Sequence, residues 1–257
     1  MTKLSAENLS FSYGARPVLK GLEFDPLPSG KLTALIGPNA AGKSTLFRLI
    51  SGLAKPAAGH ITLNDTDLAS LGARDRLKRI CFMPQYFAAN AALTVFDVVM
   101  MAHKQLRGWR VSGADMAAVA QALEEAGIGH LSQAYVSDLS GGQSQMVSVA
   151  QALVRHSDVY LFDEPTSALD LRHQLQVLTR IRATMMARDS IGVVALHDLN
   201  LAARFADHLI LLGQGRILAQ GSAETVLRSP AISETYKVEV ETSTGPRQDL
   251  TVHAYAS

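Results

Sequence analysis

The sequence predicts an α/β fold built on a mainly parallel sheet with helices, together with an antiparallel β layer and an inserted helical subdomain. Short apolar runs bounded by Gly, Pro and Asp alternate with helical patterns along most of the chain, as in parallel α/β sheets. Residues 9–24 differ, because a Ser-Phe-Ser-Tyr alternation before a turn at Gly14 is typical of antiparallel strands. Between residues 93 and 139 the pattern is mostly helical, with helices expected at 95–106 and 115–126 and a loop at 108–110.

The composition indicates a globular protein without a strong electrostatic preference. The chain has 257 residues, of which 47% are hydrophobic and 18% charged, so it can bury a sizeable core in one or two domains. A formal net charge of +1 provides no long-range field for nucleic acid or an anionic membrane surface, and we expect no nucleic-acid partner. The single cysteine, Cys81, lies in an apolar stretch and is expected to be a buried structural thiol.

No segment of the sequence has the pattern of a membrane span or a signal peptide. The first five residues lack an apolar core, and the most apolar stretches are too short to cross a bilayer. The sequence contains no low-complexity segment and no internal repeat, so one compact unit is expected. We therefore expect a cytoplasmic or peripheral protein.

The strongest functional signal is a glycine-rich loop between a strand and a helix. Residues 32–36 have the pattern of a buried strand, residues 37–44 fit G-x-x-x-x-G-K-[ST], and a helix follows. In such a loop the backbone N–H groups and the helix N-terminus bind phosphate oxygens, Lys43 reaches the outer phosphates, and Ser44 can ligate Mg²⁺. ATP binding is therefore predicted, with a chance strand-turn-helix as the alternative. The predicted ATP-binding residues are Gly37, Pro38, Asn39, Ala40, Ala41, Gly42, Lys43, Ser44 and Thr45.

Two details of this region carry their own expectations. Ala40 occupies a position where such loops often have a glycine with positive φ, and its methyl group is expected to be tolerated with at most a slightly altered loop geometry. The apolar residues of the following helix are expected to face inward; they are Leu46, Phe47, Leu49, Ile50 and Leu53.

A pair of carboxylates follows a second buried strand. Strands are expected at 159–162 and 193–196, and each ends in polar residues, where α/β sheets place their ligands. Asp163 would hold Mg²⁺, and Glu164 would act as the general base that polarises the attacking water. A plain acidic turn is the alternative.

Residues 139–143, Leu-Ser-Gly-Gly-Gln, precede an amphipathic helix with an apolar face that includes Met146 and Leu153. Ser140 and the two glycines prepare a second exposed helix N-terminus, which suits a phosphate for the same reasons as the first. Taken alone, Ser-Gly-Gly is equally an ordinary N-cap turn.

In their order along the chain, these motifs resemble the nucleotide-binding subunits of ABC transporters over residues 4–221. The resemblance rests on the phosphate loop, Gln85 after an apolar strand, the Leu-Ser-Gly-Gly-Gln motif, residues 159–164, the turn at 167–170, and His197 after a strand. It implies one P-loop NTPase ABC ATPase domain over residues 1–257. Within it, residues 1–92 and 140–221 would form the core with its β layer, 93–139 the helical insert, and 222–257 a C-terminal extension. The residue pattern of that extension predicts a short helix at 225–228 and a strand at 237–240, and it indicates no role.

The resemblance implies a catalytic site shared between two copies of the chain. Ser140, Gly141, Gly142 and Gln143 would act in trans on ATP bound to the other copy of a head-to-tail dimer, and Asp170 would help arrange the interface. Tyr13 would stack on adenine. Gln85 would contact Mg²⁺ and the attacking water, and His197 would contact the γ-phosphate. Each also has an ordinary alternative as a strand or turn residue.

The resemblance further implies a transport role. One cassette with no membrane span and no coiled-coil insertion implies a separate integral-membrane permease. It would dock in the cleft between core and insert along residues 87–101, although Phe96, Val98, Val99 and Met100 could equally be helix core. The protein would lie at the cytoplasmic face of the inner membrane.

Residues 169–174, 197–202 and 215–221 are similar to ATPases of bacterial importers for iron chelates, haem and cobalamin. A ferric siderophore or haem is the expected cargo, delivered by a periplasmic or extracellular substrate-binding protein. The alternatives are a cytosolic ATP-dependent switch that remodels a soluble assembly, and an importer for cobalamin or another metal complex.

Overall fold

The computed structural model describes residues 2–85, 92–105, 108, 110–245 and 250–256. The strands are β1 (Leu4–Tyr13), β2 (Arg16–Leu27), β3 (Leu32–Ile36), β4 (Ala58–Leu63), β5 (Thr66–Asp67), β6 (Ile80–Met83), β7 (Val159–Asp163), β8 (Ile191–Ala195), β9 (His208–Gly213), β10 (Arg216–Gly221), β11 (Glu239–Thr244) and β12 (Leu250–Tyr255). The α-helices are α1 (Lys43–Ser51), α2 (Ala73–Arg79), α3 (Val95–Lys104), α4 (Gly113–Glu125), α5 (Gly141–Leu153), α6 (Leu171–Arg188), α7 (Leu199–Phe205), α8 (Ala223–Leu227) and α9 (Pro230–Tyr236).

The central layer is a six-stranded sheet with the order β10-β9-β3-β8-β7-β6. Its strands are parallel except β10, which pairs antiparallel with β9. Every residue of β3, β7 and β8 is buried, as expected of parallel strands covered on both faces. The fold class predicted from the sequence is confirmed. The strand expected at 159–162 extends one residue further, to Asp163, and the one expected at 193–196 ends at Ala195.

The front layer is an antiparallel sheet with the order β2-β1-β4-β5. The predicted turn at Gly14 joins β1 to β2, and Gly14 has φ +56°. Leu4, Leu9 and Leu22 of this sheet are fully buried and belong to one apolar cluster with Phe47 of α1. The front layer thus packs on the helix that follows the glycine-rich loop.

The helical region contains α3 and α4, which pack against α5. Each begins with a capping box, Thr94 with Asp97 in α3 and Ser112 with Asp115 in α4. The helices lie where the pattern predicts them, with ends shifted by two residues or fewer: α3 ends at Lys104, and α4 spans Gly113–Glu125. Part of the loop expected at 108–110 lies outside the described residues. The division into core, insert and C-terminal extension remains a prediction.

Two predictions from the sequence need correction. Leu53 is 66% exposed and does not face inward, because Gly52 adopts φ +81° and ends α1 by donating its N–H to Leu49 O. The strand expected at 237–240 begins only at Glu239, because Lys237 with φ +56° caps α9. Cys81 is buried as predicted, and burial raises the pKa of its thiol. Within the described ranges, no helix is long and apolar enough to cross a bilayer.

Candidate nucleotide-binding and catalytic site

The predicted site residues collect at one edge of the central sheet. The strands β3, β8, β7 and β6 are neighbours and run parallel, so their carboxyl ends meet at the same edge. The glycine-rich loop follows β3, His197 follows β8, Glu164 follows β7, and Gln85 follows β6. This edge is where parallel α/β sheets bind their ligands.

The glycine-rich loop is closed around the Lys43 side chain. The Lys43 ammonium donates hydrogen bonds to Gly37 O at 2.6 Å and to Pro38 O at 3.1 Å, and the residue is only 6% exposed. A Cβ on Gly37 would lie 2.1 Å from Leu212 O, so only glycine fits there. Gly42, the N-cap of α1, has φ +113° and no side chain to cap the helix. The first N–H groups of α1 are therefore not taken by a side-chain cap, which suits anion binding.

Ala40 adopts a left-handed conformation with φ +62°. The position that often carries glycine in such loops therefore has positive φ here too, and it holds a methyl group. A left-handed conformation costs a residue with a Cβ about 1–2 kcal/mol. The loop stores this strain beside Lys43.

Asp163 and Ser44 offer oxygen ligands for a hard cation. Asp163 is 3% exposed, and burial raises the pKa of its carboxyl group more than the hydrogen bond from Ser44 lowers it. Its Oδ1 atom is buried and has no hydrogen-bond partner among the residues that the structure describes. Magnesium prefers oxygen ligands and binds through one or two carboxylates while keeping waters and substrate phosphates as further ligands. The buried, unpartnered oxygen beside the Ser44 hydroxyl fits Mg²⁺. No group of three or more His, Cys, Asp or Glu able to hold a metal occurs among the described residues.

Gln85, Glu164 and His197 form one hydrogen-bonded cluster. Gln85 donates its amide N–H to Glu164 Oε2 at 2.6 Å, and His197 Nε2 bonds to the other carboxylate oxygen, Oε1. The Glu164 side chain is 14% exposed, whereas that of His197 is 43% exposed. The backbone of Glu164 has φ +53°, which turns the residue out of β7. The structure thus brings the three predicted catalytic residues together and orients the carboxylate from both sides.

Two residues that support Glu164 were missed from the sequence. Gln145, 5% exposed, donates its Nε2–H to Glu164 O at 3.1 Å, and Ser167 Oγ donates to the same carbonyl at 3.1 Å. A polar side chain on the apolar face of α5 was the available signal for Gln145. No comparable signal marks Ser167, because its partner is a backbone atom.

A cleft of about 250 Å³ lies beside the loop. It is lined by residues 39–45, Glu164, Tyr13, Val18 and Arg16. Tyr13 is 48% exposed and packs edge-on against Phe11, with ring centroids 4.9 Å apart. Arg16, which sequence reasoning missed, pairs with Tyr13 across the hairpin turn. An aromatic ring and a glycine-rich loop therefore share one cleft.

The Leu-Ser-Gly-Gly-Gln residues are not among the residues that line this cleft. Ser140 caps α5 in a capping box: it accepts from Gln143 N at 3.3 Å, and its own N–H donates to Gln143 Oε1 at 2.9 Å. A Cβ added to Gly141 would meet nothing within 4 Å. The motif is thus an exposed helix N-terminus.

Asp170 caps α6 through His173, whose N–H and Nδ1 bond to Asp170 Oδ1 at 2.9 and 2.7 Å. These bonds lower the pKa of the Asp170 carboxyl group. Within one chain, its observed role is therefore that of a helix cap.

The fold and the site define a P-loop ATPase of the α/β class. Residues 19–167 match the ABC transporter family model. The chain is 34% identical to the iron(3+)-hydroxamate import ATP-binding protein FhuC of Bacillus subtilis, over 98% of this chain and 94% of the relative. It is 38% identical to the hemin import ATP-binding protein HmuV of Thermobifida fusca, over 95% of this chain and 85% of the relative. A solved ABC transporter in an inward-facing conformation superposes with a TM-score of 0.82 at 28% identity, covering 99% of this chain and 97% of that chain.

The chain belongs to the ABC transporter family, as one of its ATP-binding subunits. Such subunits are ATPases coupled to transport. The resemblance inferred from the order of the motifs is confirmed.

Proposed function

We propose that this chain is the ATP-hydrolysing subunit of an importer that takes up a ferric siderophore or haem through a separate membrane permease. The observation that carries the catalytic part is the Gln85–Glu164–His197 cluster at the sheet edge that holds the phosphate loop. The cargo is proposed from the relatives, which are named for the import of ferric hydroxamate and hemin.

ATP binds with its phosphates on residues 37–45 and its adenine against Tyr13. The first N–H groups of α1 and the loop contact phosphate oxygens, and Lys43 neutralises charge on the outer phosphates. Tyr13 supports this placement because its half-exposed ring lines the same cleft as the loop. Asp170 is assigned to the interface between copies in addition to its capping role.

Ser44, Asp163 and Gln85 would hold Mg²⁺ through their side-chain oxygens. When bound, the ion neutralises charge that develops on the phosphates. The unpartnered Oδ1 atom of Asp163 supports this assignment.

Hydrolysis uses Glu164 as the general base. Its carboxylate takes a proton from the attacking water as the water oxygen bonds to the γ-phosphorus, and the bond to the bridging oxygen of ADP breaks. Gln85 and His197 orient the carboxylate through its two oxygens. The His197 side chain is more exposed than that of Glu164, so it can turn to contact the γ-phosphate.

The complete site requires a second copy of the chain. Ser140, Gly141, Gly142 and Gln143 present an exposed helix N-terminus outside the cleft of their own chain. In a head-to-tail dimer, this helix end would face the γ-phosphate bound to the other copy. ATP then favours the closed dimer, because only in the closed state do the phosphate loop of one copy and the N-terminus of α5 of the other copy both contact the nucleotide.

The permease docks in the cleft between core and insert, at the cytoplasmic face of the membrane. Val98, Val99 and Met100 are buried core of α3, so the contact falls to more exposed residues such as Met101 and Phe96. Residues 87–91 of the expected docking segment lie outside the described residues. A cavity lined by Pro84, Gln105 and Gln151 runs beside α3. Pro84 immediately precedes Gln85, so a permease segment bound in this cavity would contact the chain beside the catalytic cluster. Upstream, a substrate-binding protein outside the membrane delivers the cargo to the permease.

The test is isolation of the protein from the membranes of its native cell. We expect an integral-membrane partner to copurify, and we expect the reconstituted complex to move a ferric hydroxamate or hemin into vesicles only when ATP and Mg²⁺ are supplied. A protein that stays soluble with no membrane partner would support the alternative, a cytosolic switch. Uptake of cobalamin, but of no iron compound, would correct the cargo.

A further inference from the structure

The last part of the chain contacts the helix that follows His197. The C-terminal segment, defined here as residues 230–256, contains α9, β11 and β12. Val240 N donates to Ser233 Oγ at 3.2 Å and joins β11 to α9, and β11 pairs with β12 from Glu239↔Tyr255 to Thr244↔Leu250. Helix and hairpin are therefore linked to each other as well as to the core.

One contact joins the hairpin to the helix that follows His197. Asn200 Nδ2 donates to Val252 O at 3.1 Å, and Val252 N donates to Asn200 Oδ1 at 2.7 Å. The amide side chain thus pairs with both backbone groups of one β12 residue, as a neighbouring strand would. Val252 is 7% exposed and belongs to the same apolar cluster as α7. The pairing fixes the first turn of α7 to the C-terminal segment.

A short series of bonds leads from Asn200 to the catalytic carboxylate. Asp198 caps α7 by accepting from Asn200 N at 2.7 Å and from Leu201 N at 3.0 Å. His197 precedes this cap and bonds to Glu164. Because α7 has only seven residues, its own hydrogen bonds hold its position weakly. The Asn200–Val252 pair therefore restrains the backbone that carries His197.

We propose that Asn200 is a positioning residue, through which the C-terminal segment holds His197 in place for hydrolysis. The proposal rests on the proposed ATPase function of the site. Asn200 acts through α7 on the hydrolytic step and makes no contact with the phosphate loop within the described residues. Its loss should therefore change kcat and leave KM for ATP nearly unchanged.

The experiment compares Asn200→Ala and Asn200→Asp with Ser243→Ala in the full-length chain. Asn200→Ala should lower kcat about three- to tenfold at nearly unchanged KM for ATP, the effect of losing hydrogen bonds that orient one group. Asn200→Asp keeps the acceptor for Val252 N and should fall in between. Ser243→Ala removes an exposed hydrogen bond to His253 within the hairpin but leaves both hydrogen bonds of Asn200 in place, so it should match the wild type.

Amide hydrogen exchange provides a readout that does not depend on turnover. Exchange should quicken at residues 197–201 in Asn200→Ala and stay as in the wild type in Ser243→Ala. Unchanged exchange at those residues, or kinetic constants equal to those of Ser243→Ala, would overturn the proposal. A wild-type protein without ATPase activity would contradict the proposed function, and the exchange measurement would still decide whether the segment positions these elements.

Discussion

Gln85 donates its amide N–H to Glu164 Oε2 at 2.6 Å, across 79 positions of sequence. The bond joins the ends of two neighbouring strands, β6 and β7, and Gln85 directly follows Pro84, which lines the cavity beside α3. A displacement of Gln85 would therefore change the orientation of the carboxylate. This contact offers a direct physical route by which a docked permease could affect hydrolysis, and hydrolysis the permease.

Glu164→Gln removes the proposed base while keeping the size and hydrogen-bonding capacity of the side chain. We expect ATP binding to persist and turnover to fall about 10²- to 10⁴-fold, because an amide cannot take a proton from water. Closed dimers should accumulate with ATP and be visible by size-exclusion chromatography. Glu23→Gln, which alters an exposed carboxylate on β2, serves as the control. Undiminished ATPase activity in Glu164→Gln would remove the assignment of this residue as base.

Asp163→Asn should stabilise the free protein at neutral pH. Burial raises the pKa of Asp163, so the folded protein favours the neutral carboxyl group. Asp163 contributes stability to the folded state at pH values below its pKa in the unfolded chain. This contribution is lost as pH rises through its pKa in the folded protein. At pH 7 the ionised carboxylate therefore destabilises the folded state. Asparagine has no such cost. Tm at pH 7.5, without nucleotide or Mg²⁺, should rise, and the gain should shrink as pH falls toward the raised pKa.

The same substitution should abolish Mg²⁺-dependent ATPase activity, since a carboxylate ligand is lost. Asp65→Asn, in an exposed turn, should change stability by no more than about 0.5 kcal/mol. A lower Tm for Asp163→Asn at pH 7.5 would mean that its attraction to Lys43 outweighs burial.

The positions of the site residues could be predicted because each follows an apolar strand. Parallel strands end at one edge, so Gln85, Glu164 and His197 had to lie near one another once the strands were recognised. Their contacts could not be predicted in this way. The positive φ of Glu164 and the hydrogen bond from Gln145 to its carbonyl depend on where α5 lies relative to the carboxyl end of β7. Long-range contacts of this kind have no local pattern.

The prediction for Leu53 was wrong for a local reason, whereas the contacts that were missed are long-range. Leu53 was assigned to the apolar face of α1 although Gly52, a common helix stop, comes just before it. The link between Asn200 and Val252 joins a side chain to backbone atoms 52 positions away, and backbone atoms are the same at every residue. The sequence therefore predicted a helix and a strand after residue 221 but not the contact between Asn200 and Val252.

Ala40→Gly should preserve ATPase activity and leave stability unchanged or slightly raised. Glycine relieves a left-handed strain of about 1–2 kcal/mol, and it costs about 0.4–1 kcal/mol through the greater freedom of the unfolded chain. The gain therefore lies between about 0 and 1.6 kcal/mol by these two terms. Ala41→Gly is the matched control: Ala41 has no positive φ, so it has no strain to relieve and should lose stability. Chemical denaturation and ATP titration measure both effects. Loss of nucleotide binding in Ala40→Gly would show that the methyl group shapes the loop.

Mixing two inactive variants tests whether the Leu-Ser-Gly-Gly-Gln motif acts on the other copy. Lys43→Ala disables the phosphate loop, and Gly141→Glu places a carboxylate at the exposed start of α5, where the structure has room for a side chain. Each variant alone should be inactive, because in a head-to-tail dimer both sites carry a defect. In a mixed dimer one site carries both defects and the other site is intact.

The mixture should therefore regain ATPase activity that neither variant shows. Lys43→Ala mixed with Glu164→Gln is the control. Both residues line the nucleotide cleft of their own chain, so every mixed dimer has one defect in each site. This second mixture should stay inactive. Recovery in both mixtures, or in neither, would contradict action in trans, since only a composite site distinguishes the two pairs of variants. Subunit exchange must be verified by mass spectrometry of the mixed dimers, so that a lack of recovery reflects the geometry of the site.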